Sequence, residues 1–466
     1  MPLPSVSFLN NLRTSSAPSF KGEPDMSDVE FSMSASFDRS LFWEAGSSVR
    51  YLVARVNARR LGEDRPVARA PLNIALAIDV SGSMSGARLE AAKKAAVGLA
   101  AQLTEQDRLS LVSFGSDVVV HLDAVTVHAG TLPMIRQTIE ALETSGMTNL
   151  SDGWFTAVDC AARIAERDPR MTPRVILLSD GHANRGITEA GELGAHAHQL
   201  RLRGVLTSAL GIGDDYDEHL LRGIAESGGG RLHDAEVTSE ISTVLLGELQ
   251  DISLTCVDNA EIILTTSTKL RIEAVGRGRL EERDGDLVLS LGAIQSGSER
   301  VAVFKVICPI LPAGTQLHFT VTARGHAMSE DGVIGAGAVQ LALTAAQGDR
   351  NSAQDRDDEV AEIVAKAWSA HVVTMTAKMN ARGAFHDAQG FIRQELRHFA
   401  NYVHGLRCGP ALVQELDLLA RRAGSQISPR MRKEMVLQSS LAMESRVDRR
   451  SMSRQSWSDR MRDGNS

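Results

Sequence analysis

Asp79, Ser81 and Ser83 close the run Ile74-Ala75-Leu76-Ala77-Ile78-Asp79-Val80-Ser81-Gly82-Ser83-Met84. An apolar strand that finishes in an acid and then offers two hydroxyls can turn all three oxygens toward one point. Clustered hard oxygens suit a magnesium-like cation, which keeps water or a ligand in its remaining positions. Two later segments supply further oxygens: Gly146-Met147-Thr148-Asn149, and the strand-end run Val175-Ile176-Leu177-Leu178-Ser179-Asp180-Gly181. A blander reading exists for the first run alone. Asp79 could cap a helix starting near Gly86, with Ser81 and Ser83 serving local backbone amides. That reading leaves Thr148 and Asp180 without a part.

Taken in order, Asp-x-Ser-x-Ser, a threonine and a strand-terminal Ser-Asp-Gly resemble the metal-ion-dependent adhesion site of the von Willebrand factor type A family. The likeness runs from about Pro71 to Asp251 and is of the bacterial-style intracellular type. It implies a metal site of Asp79, Ser81, Ser83, Thr148 and Asp180. It implies direct ligation by the neutral Ser81 and Ser83 hydroxyls. Asp79 and Asp180 would act mostly through water and hydrogen bonds that orient the ligands, and Thr148 would join when a partner is bound. Neutral ligands leave the ion's charge largely uncancelled, so one position stays electrophilic for a partner's acidic side chain. The cation expected is magnesium, with manganese or calcium as alternatives. The function implied is a magnesium-dependent protein–protein interaction module that captures an exposed Asp or Glu and acts as a scaffold. The alternative is an adaptor subunit of an AAA-type ATPase complex of the chelatase or MoxR-like kind.

Enzymatic readings fare less well. Asp79 at a strand end resembles a phosphoryl-transfer nucleophile of the haloacid dehalogenase type, but that chemistry wants a second acid where Ser81 stands. Gly82-Ser83-Met84-Ser85-Gly86 is not a hydrolase elbow, because Met84 occupies the nucleophile's place. Gly211-Ile212-Gly213 lacks a third glycine, and no phosphate-binding Gly-x-x-x-x-Gly-Lys-Ser/Thr loop occurs. The chain is expected not to be an enzyme. Asn149, Asp152, Asp214 and Asp215 are candidates for the rim of the site or for ordinary caps and turns. His182, His196 and His198 are not spaced to share a ligand on one helix face.

The elements that must position these residues follow from periodicity. Leu89, Ala92, Ala96, Leu99 and Leu103 fall on one helical face. Leu109 to Phe114, Arg174 to Ser179, Val205 to Leu210 and Gly230 to His233 read as strands. Leu132 to Leu142, a helix from Asp152 capped by Ser151, Glu189 to Arg203, Asp217 to Ser227 and Ser239 to Leu249 read as helices. Alternating strands and helices over 71–251 predict a doubly wound parallel α/β sheet, Rossmann-like, with ligands at the carboxyl ends of its strands. Val29 to Val56 reads as strands, with Gly62 to Pro66 a turn into the central domain. After residue 252 the period becomes two again, as in Leu317, Phe319 and Val321. Strands 28–66 and 252–346 are too few apiece for separate domains, so they are expected to form one antiparallel β-sandwich interrupted by the central domain. Residues 356–424 predict a helical bundle or hairpin packing on the sandwich or on a partner, after a polar linker over Gln347 to Asp358.

The 466 residues carry a net charge of -8 and only 4% aromatics, which argues against nucleic-acid binding. No apolar run reaches the length of a membrane span. Met1 to Ser27 reads as a flexible lead without a signal peptide. Cys160, Cys256, Cys308 and Cys408 have no metal spacing and read as reduced thiols. A cytoplasmic location is expected. The segment 430–466 holds nine Lys or Arg against five Asp or Glu with serines interspersed, and reads as a disordered basic tail.

Overall fold

Val29–Phe37 (β1), Leu41–Trp43 (β2) and Val49–Arg60 (β3) open the structure, a computed structural model that describes residues 28–46, 48–61, 71–168, 171–213, 216–235, 238–276, 278, 280–328, 332–443 and 456–462. The proposed flexible lead, 1–27, and the turn at Gly62 to Pro66 lie outside the described residues. In β3 the sides are divided cleanly. Leu52, Ala54 and Val56 face one core, while Tyr51 and Val53 face another. A strand covered on both sides has no reason to alternate polar with apolar, which is why its period-two pattern is imperfect.

The central domain then runs β4 (Leu72–Asp79), α1 (Ala87–Ala100), β5 (Arg108–Phe114), β6 (Val118–Thr126), α2 (Leu132–Glu140), α3 (Leu150–Arg167), β7 (Thr172–Ser179), α4 (Ala190–Leu202), β8 (Leu206–Ile212), α5 (Glu218–Ser227), β9 (Gly229–Ala235) and α6 (Thr238–Leu254). The sheet order is β6-β5-β4-β7-β8-β9. All pairings are parallel except β5 with β6. Strand β4 is buried on both faces. Leu72, Ile74, Leu76 and Ile78 pack toward α1, α2 and α6, whereas Ala75 and Ala77 leave room for the Trp154 indole of α3. The Trp154 Nε1–H donates to Thr207 Oγ1 at 3.1 Å. A Cβ on Gly153 would run into the Phe114 ring, so the glycine lets α3 sit close on β5. Helix α3 begins at Leu150 rather than Asp152, and its cap is Asn149, not Ser151. Ser151 Oγ instead accepts from the Ile187 N–H at 3.0 Å and ties down another loop.

The sandwich resumes with β10 (Thr255–Thr266), β11 (Arg271–Val275), β12 (Leu280–Arg283), β13 (Asp286–Gln295), β14 (Ser298–Ile307), β15 (Gln316–Ala327) and β16 (Val333–Ala346). One layer is β1-β3-β14-β11 and the other β12-β13-β10-β15-β16-β2. Strand β3 pairs with β14 from Ser298↔Ala58 to Ile307↔Val49, and β2 pairs with β16. Both layers therefore join strands from either side of the insertion. Helix α6 ends at Leu254 and β10 starts at the next residue, so one junction between the domains has no linker at all. The Arg174 guanidinium at the start of β7 meets Asp258 of β10 at 3.1 Å, both buried.

The C-terminal region contains α7 (Gly348–Ala353), within the expected polar linker, then α8 (Asp358–Ala381), α9 (Phe385–Tyr402), α10 (Gly409–Arg422), α11 (Pro429–Met443) and α12 (Trp457–Arg462). Val360, Val364 and Ala367 of α8 close over Tyr51, Val53 and Val303, so this stripe packs on the sandwich. The basic tail departs from its expected disorder. Met431, Met435 and Val436 of α11, with Trp457 and Met461 of α12, are buried in the helical core, and Arg460 meets Glu434 at 3.0 Å. Their helical spacing is hidden among serines and arginines, and neighbouring helices supply the apolar cover that keeps the segment folded. Residues 444–455 and 463–466 lie outside the described residues. Among the described residues no helix is long and apolar enough to cross a membrane.

Candidate metal centre

Strands β4 and β7 lie side by side with Ile78 opposite Leu178. That register carries Asp79 and Ser179 to the same edge and puts Asp180 one residue beyond. Asp79 is buried and held at both oxygens. Its Oδ1 accepts the Ser81 N–H at 2.8 Å and its Oδ2 accepts the Ser179 hydroxyl at 2.5 Å. Ser179 Oγ accepts in turn from the Gly181 N–H at 2.8 Å. Burial pushes the Asp79 carboxyl up to about 6, the bonds from Ser179 and Ser81 oppose the rise, and the neighbouring Asp180 charge adds to it. Past β4 the chain enters a 3-10 turn, Gly82–Met84, which buries Met84 and leaves Ser83 exposed. The Ser81 and Ser83 hydroxyl oxygens lie 3.1 Å apart.

Asp180 is buried, and Gly181 follows it with φ 71°, a left-handed turn that reverses the chain tightly. Its Oδ1 accepts the His182 N–H at 3.4 Å. Its Oδ2 has no hydrogen-bond donor among the described residues. The nearest cation, Arg88 Nη1, stands 3.7 Å away. Thr148 comes from a third loop, stitched to the first by Gly82 N–H to Gly146 O at 3.0 Å and Ser145 N–H to Val80 O at 2.6 Å. Its own N–H donates to Asn184 Oδ1 at 2.9 Å, and its carbonyl accepts from the Asn184 and Arg185 N–H groups, each at 3.2 Å. A Cβ on Gly146 would collide with Ser116 Oγ, so that loop needs its glycine.

The structure thus links Asp79, Ser81 and Ser83 directly, reaches Asp180 through Ser179, and brings Thr148 alongside on a loop bonded to both neighbours. These residues fit a hard divalent cation. Two buried carboxylates and hydroxyl oxygens form an all-oxygen donor set, and one carboxylate oxygen lacks a hydrogen-bond donor among the described residues. Among the described residues no group of three His, Cys, Asp or Glu could hold a metal, so an ion here depends on the hydroxyls. Ser179 stands out only as part of the Ser-Asp-Gly run, although it positions Asp79. Arg88 and Asn184 carry no signal in the sequence. Of the rim candidates, Asn149 caps α3 and its Nδ2 donates to Asp152 at 2.7 Å. Asp214 and Asp215 lie outside the described residues. His196 meets the Phe155 ring edge-on, while His198 lies beside Arg201, so they share no ligand.

Residues 72–234 match the family of the von Willebrand factor type A domain. The Synechocystis protein sll0103 is 31% identical over 239 residues, covering 51% of this chain and 54% of that protein. Human inter-alpha-trypsin inhibitor heavy chain H3 is 30% identical over 232 residues, covering 46% of this chain and 26% of that protein. The chain thus spans about half the length of the first relative and about a quarter of the second. Among solved structures, a von Willebrand factor type A protein from Catenulispora acidiphila superposes with TM-score 0.65 at 15% identity, covering 89% of this chain and 97% of that one. The ArnB paralog VWA2 from Sulfolobus acidocaldarius superposes with TM-score 0.58 at 15% identity, covering 90% and 99%. At such identities these two show the fold, which here includes the flanking sheets as well as the central domain.

Proposed function

We propose, from the premise that residues 72–234 form a von Willebrand factor type A domain, that this protein captures an exposed Asp or Glu of a protein partner through magnesium. Such domains are in general protein-interaction modules, and the finer reading rests on the site. The observation that carries it is Asp180 Oδ2, a buried carboxylate oxygen without a hydrogen-bond donor among the described residues, placed beside Asp79 at the end of the central strands. A buried carboxylate oxygen without a donor costs on the order of 1–3 kcal/mol in protein mutational series, and the half-exposed Arg88 at 3.7 Å offsets only part of that, so a closer cation is favoured. Magnesium, when bound, supplies a Lewis-acidic position that a carboxylate can fill.

The chain's own residues divide the remaining work. Ser81, Ser83 and Thr148 offer neutral oxygens. Asp79 and Asp180 orient that set and hold negative charge around it, with Ser179 fixing the Asp79 rotamer. Exposed Ser83 and Met147 leave the edge open to a macromolecule. The unbroken α6–β10 junction and the buried Arg174–Asp258 pair support a scaffold role, since they fix the site's orientation on the sandwich. Intrinsic catalysis is not part of this reading, because no second acid follows Asp79 at the place phosphoryl transfer needs. Four free thiols, three of them buried, go with a cytoplasmic setting.

The test is binding of the full chain to a peptide with a central Asp, in magnesium and in chelator, beside the same peptide with Asn. Capture should need magnesium and Asp together, and Asp79→Ala should abolish it. Equal capture in chelator would overturn the proposal.

A further inference from the structure

We infer that the cavity where the central domain, the sandwich and α8 meet binds an elongated small molecule with a phosphoryl group at one end. The cavity is a partly open cleft of about 1040 Å³, at the upper end of ligand-sized sites. Its walls run along α4 and α5 and include the starts of β7, β8 and β9 at Arg174, Leu206 and Gly230, on the sheet edge opposite Asp79 and Asp180. The two edges are separated by roughly 20 Å of strand.

Charge is the first argument. The walls carry eight Lys or Arg against three Glu, in a chain whose net charge is -8. Part of this is used internally: Arg174 by Asp258, Arg222 by Glu218 and Glu226, and Arg231 by Asp251. Glu248 and Glu281 are also engaged, by His233 and by Arg283. The negative ends of α4 and α5 point to this edge and offset about half a charge each. Arg201, Lys366, Lys378 and Arg382 still make no ion pair with Asp or Glu among the described residues. Lys366, Lys378 and Arg382 are exposed and keep their water, so the buried Arg201 is the cation that calls for an anionic partner, and arginine's fork matches phosphate oxygens.

Geometry is the second argument. Arg201 is 8% exposed, donates from Nη1 to Ser290 Oγ and turns Nη2 toward His198 Nδ1 at 3.4 Å. Its Nε–H has no hydrogen-bond partner among the described residues. Burial pulls this guanidinium below the usual arginine range; Glu261, Glu281 and Asp258 oppose that fall, Arg283 adds to it, and a further anion would work against it. Gly229, with φ 74°, makes room for it: a Cβ there would lie 2.7 Å from Arg201 Cδ. Along β13, five residues past Ser290, Gln295 is 5% exposed and its Oε1 has no hydrogen-bond partner among the described residues. A buried donor and a buried acceptor, roughly 17 Å of strand apart, ask for an anion at one end and a hydroxyl or amino donor at the other.

The experiment is calorimetry and thermal melting of the full chain in chelator, with AMP, glucose 6-phosphate and glycerol 3-phosphate as probes and adenosine and glucose as their uncharged counterparts. At least one phosphorylated probe should bind and raise the melting temperature, and its counterpart should not. Arg201→Gln should weaken that binding at least about ten-fold. Should Arg201→Gln fail to fold, the exposed pair Lys366→Glu with Lys378→Glu decides, by weakening binding about three-fold or more. The inference is overturned if none of the three probes binds, if binding needs magnesium, or if the variant that folds binds as the wild type does. Because chelator silences the metal centre, failure here leaves the carboxylate-capture reading standing, and the reverse holds too.

Discussion

Magnesium should stabilise the central domain by an amount that follows the ligand set. A ligand that binds only the folded state adds RT ln(1 + [L]/Kd), which is about 2.7 kcal/mol at a hundred times Kd. For a domain the size of residues 72–251 that is a rise of roughly 5–11 °C in its melting transition. Asp180→Asn keeps the shape of the side chain and removes the charge from an oxygen that has no hydrogen-bond donor among the described residues and lies 3.7 Å from Arg88. Removing a buried charge and losing a long ion pair nearly offset, so in chelator the variant should melt within about 1 kcal/mol of the wild type. In magnesium it should gain nothing. Ser81→Ala removes a neutral oxygen that sits 3.1 Å from the Ser83 hydroxyl and leaves both carboxylates in place. A loss of about ten-fold in affinity would reduce the magnesium increment to about 1.4 kcal/mol. The measurement is differential scanning calorimetry of the three full-length proteins, in chelator and at one fixed magnesium concentration. Equal magnesium increments for the wild type and Asp180→Asn would refute the reasoning, and so would a wild type that magnesium leaves unmoved.

Arg174→Met should cost about 3–5 kcal/mol, because it strands Asp258 at the buried junction of the domains. The double variant Arg174→Met with Asp258→Leu should recover most of that loss in urea unfolding. Burial resists ionisation of Glu248, but His233, Arg231 and Ser208 outweigh it and hold the carboxyl well below its usual range. A depressed carboxylate stabilises above its ordinary value near 4.5 and loses that contribution as pH falls. The urea midpoint of the wild type should therefore drop on acidification from about pH 4.5 downward, and Glu248→Gln should show a flatter acid limb. Truncation after Gly424 should uncover the face of the bundle that buries Met431, Met435 and Trp457, with dye binding to exposed apolar surface and loss of solubility as the readouts.

Local chain chemistry was enough to mark the strand-end oxygens. Asp79, Ser81 and Ser83 sit within five residues, and Asp180 ends an apolar run whose length is that of a strand. The alternation of strands and helices was equally local, and so was the doubly wound sheet it implies. What lay beyond reach depends on residues far apart in sequence meeting in space. Ser179 acquires its role only because β7 pairs with β4 in a register that sets its hydroxyl against Asp79. Arg88 becomes the neighbour of Asp180 only once α1 folds back over the strand ends. The Val118-Val119-Val120 stretch of β6 does not alternate as a half-buried strand would. It is a strand because the exposed edge of β5 offers it a hydrogen-bonding partner. Helices α11 and α12 form because α8 and α10 cover their methionines and Trp457, whereas composition alone points to a solvated tail. The cavity proposed for a phosphorylated molecule belongs to no single segment. It arises from docking three regions whose cationic residues are each unremarkable in sequence, and the fold buries Arg201 among them.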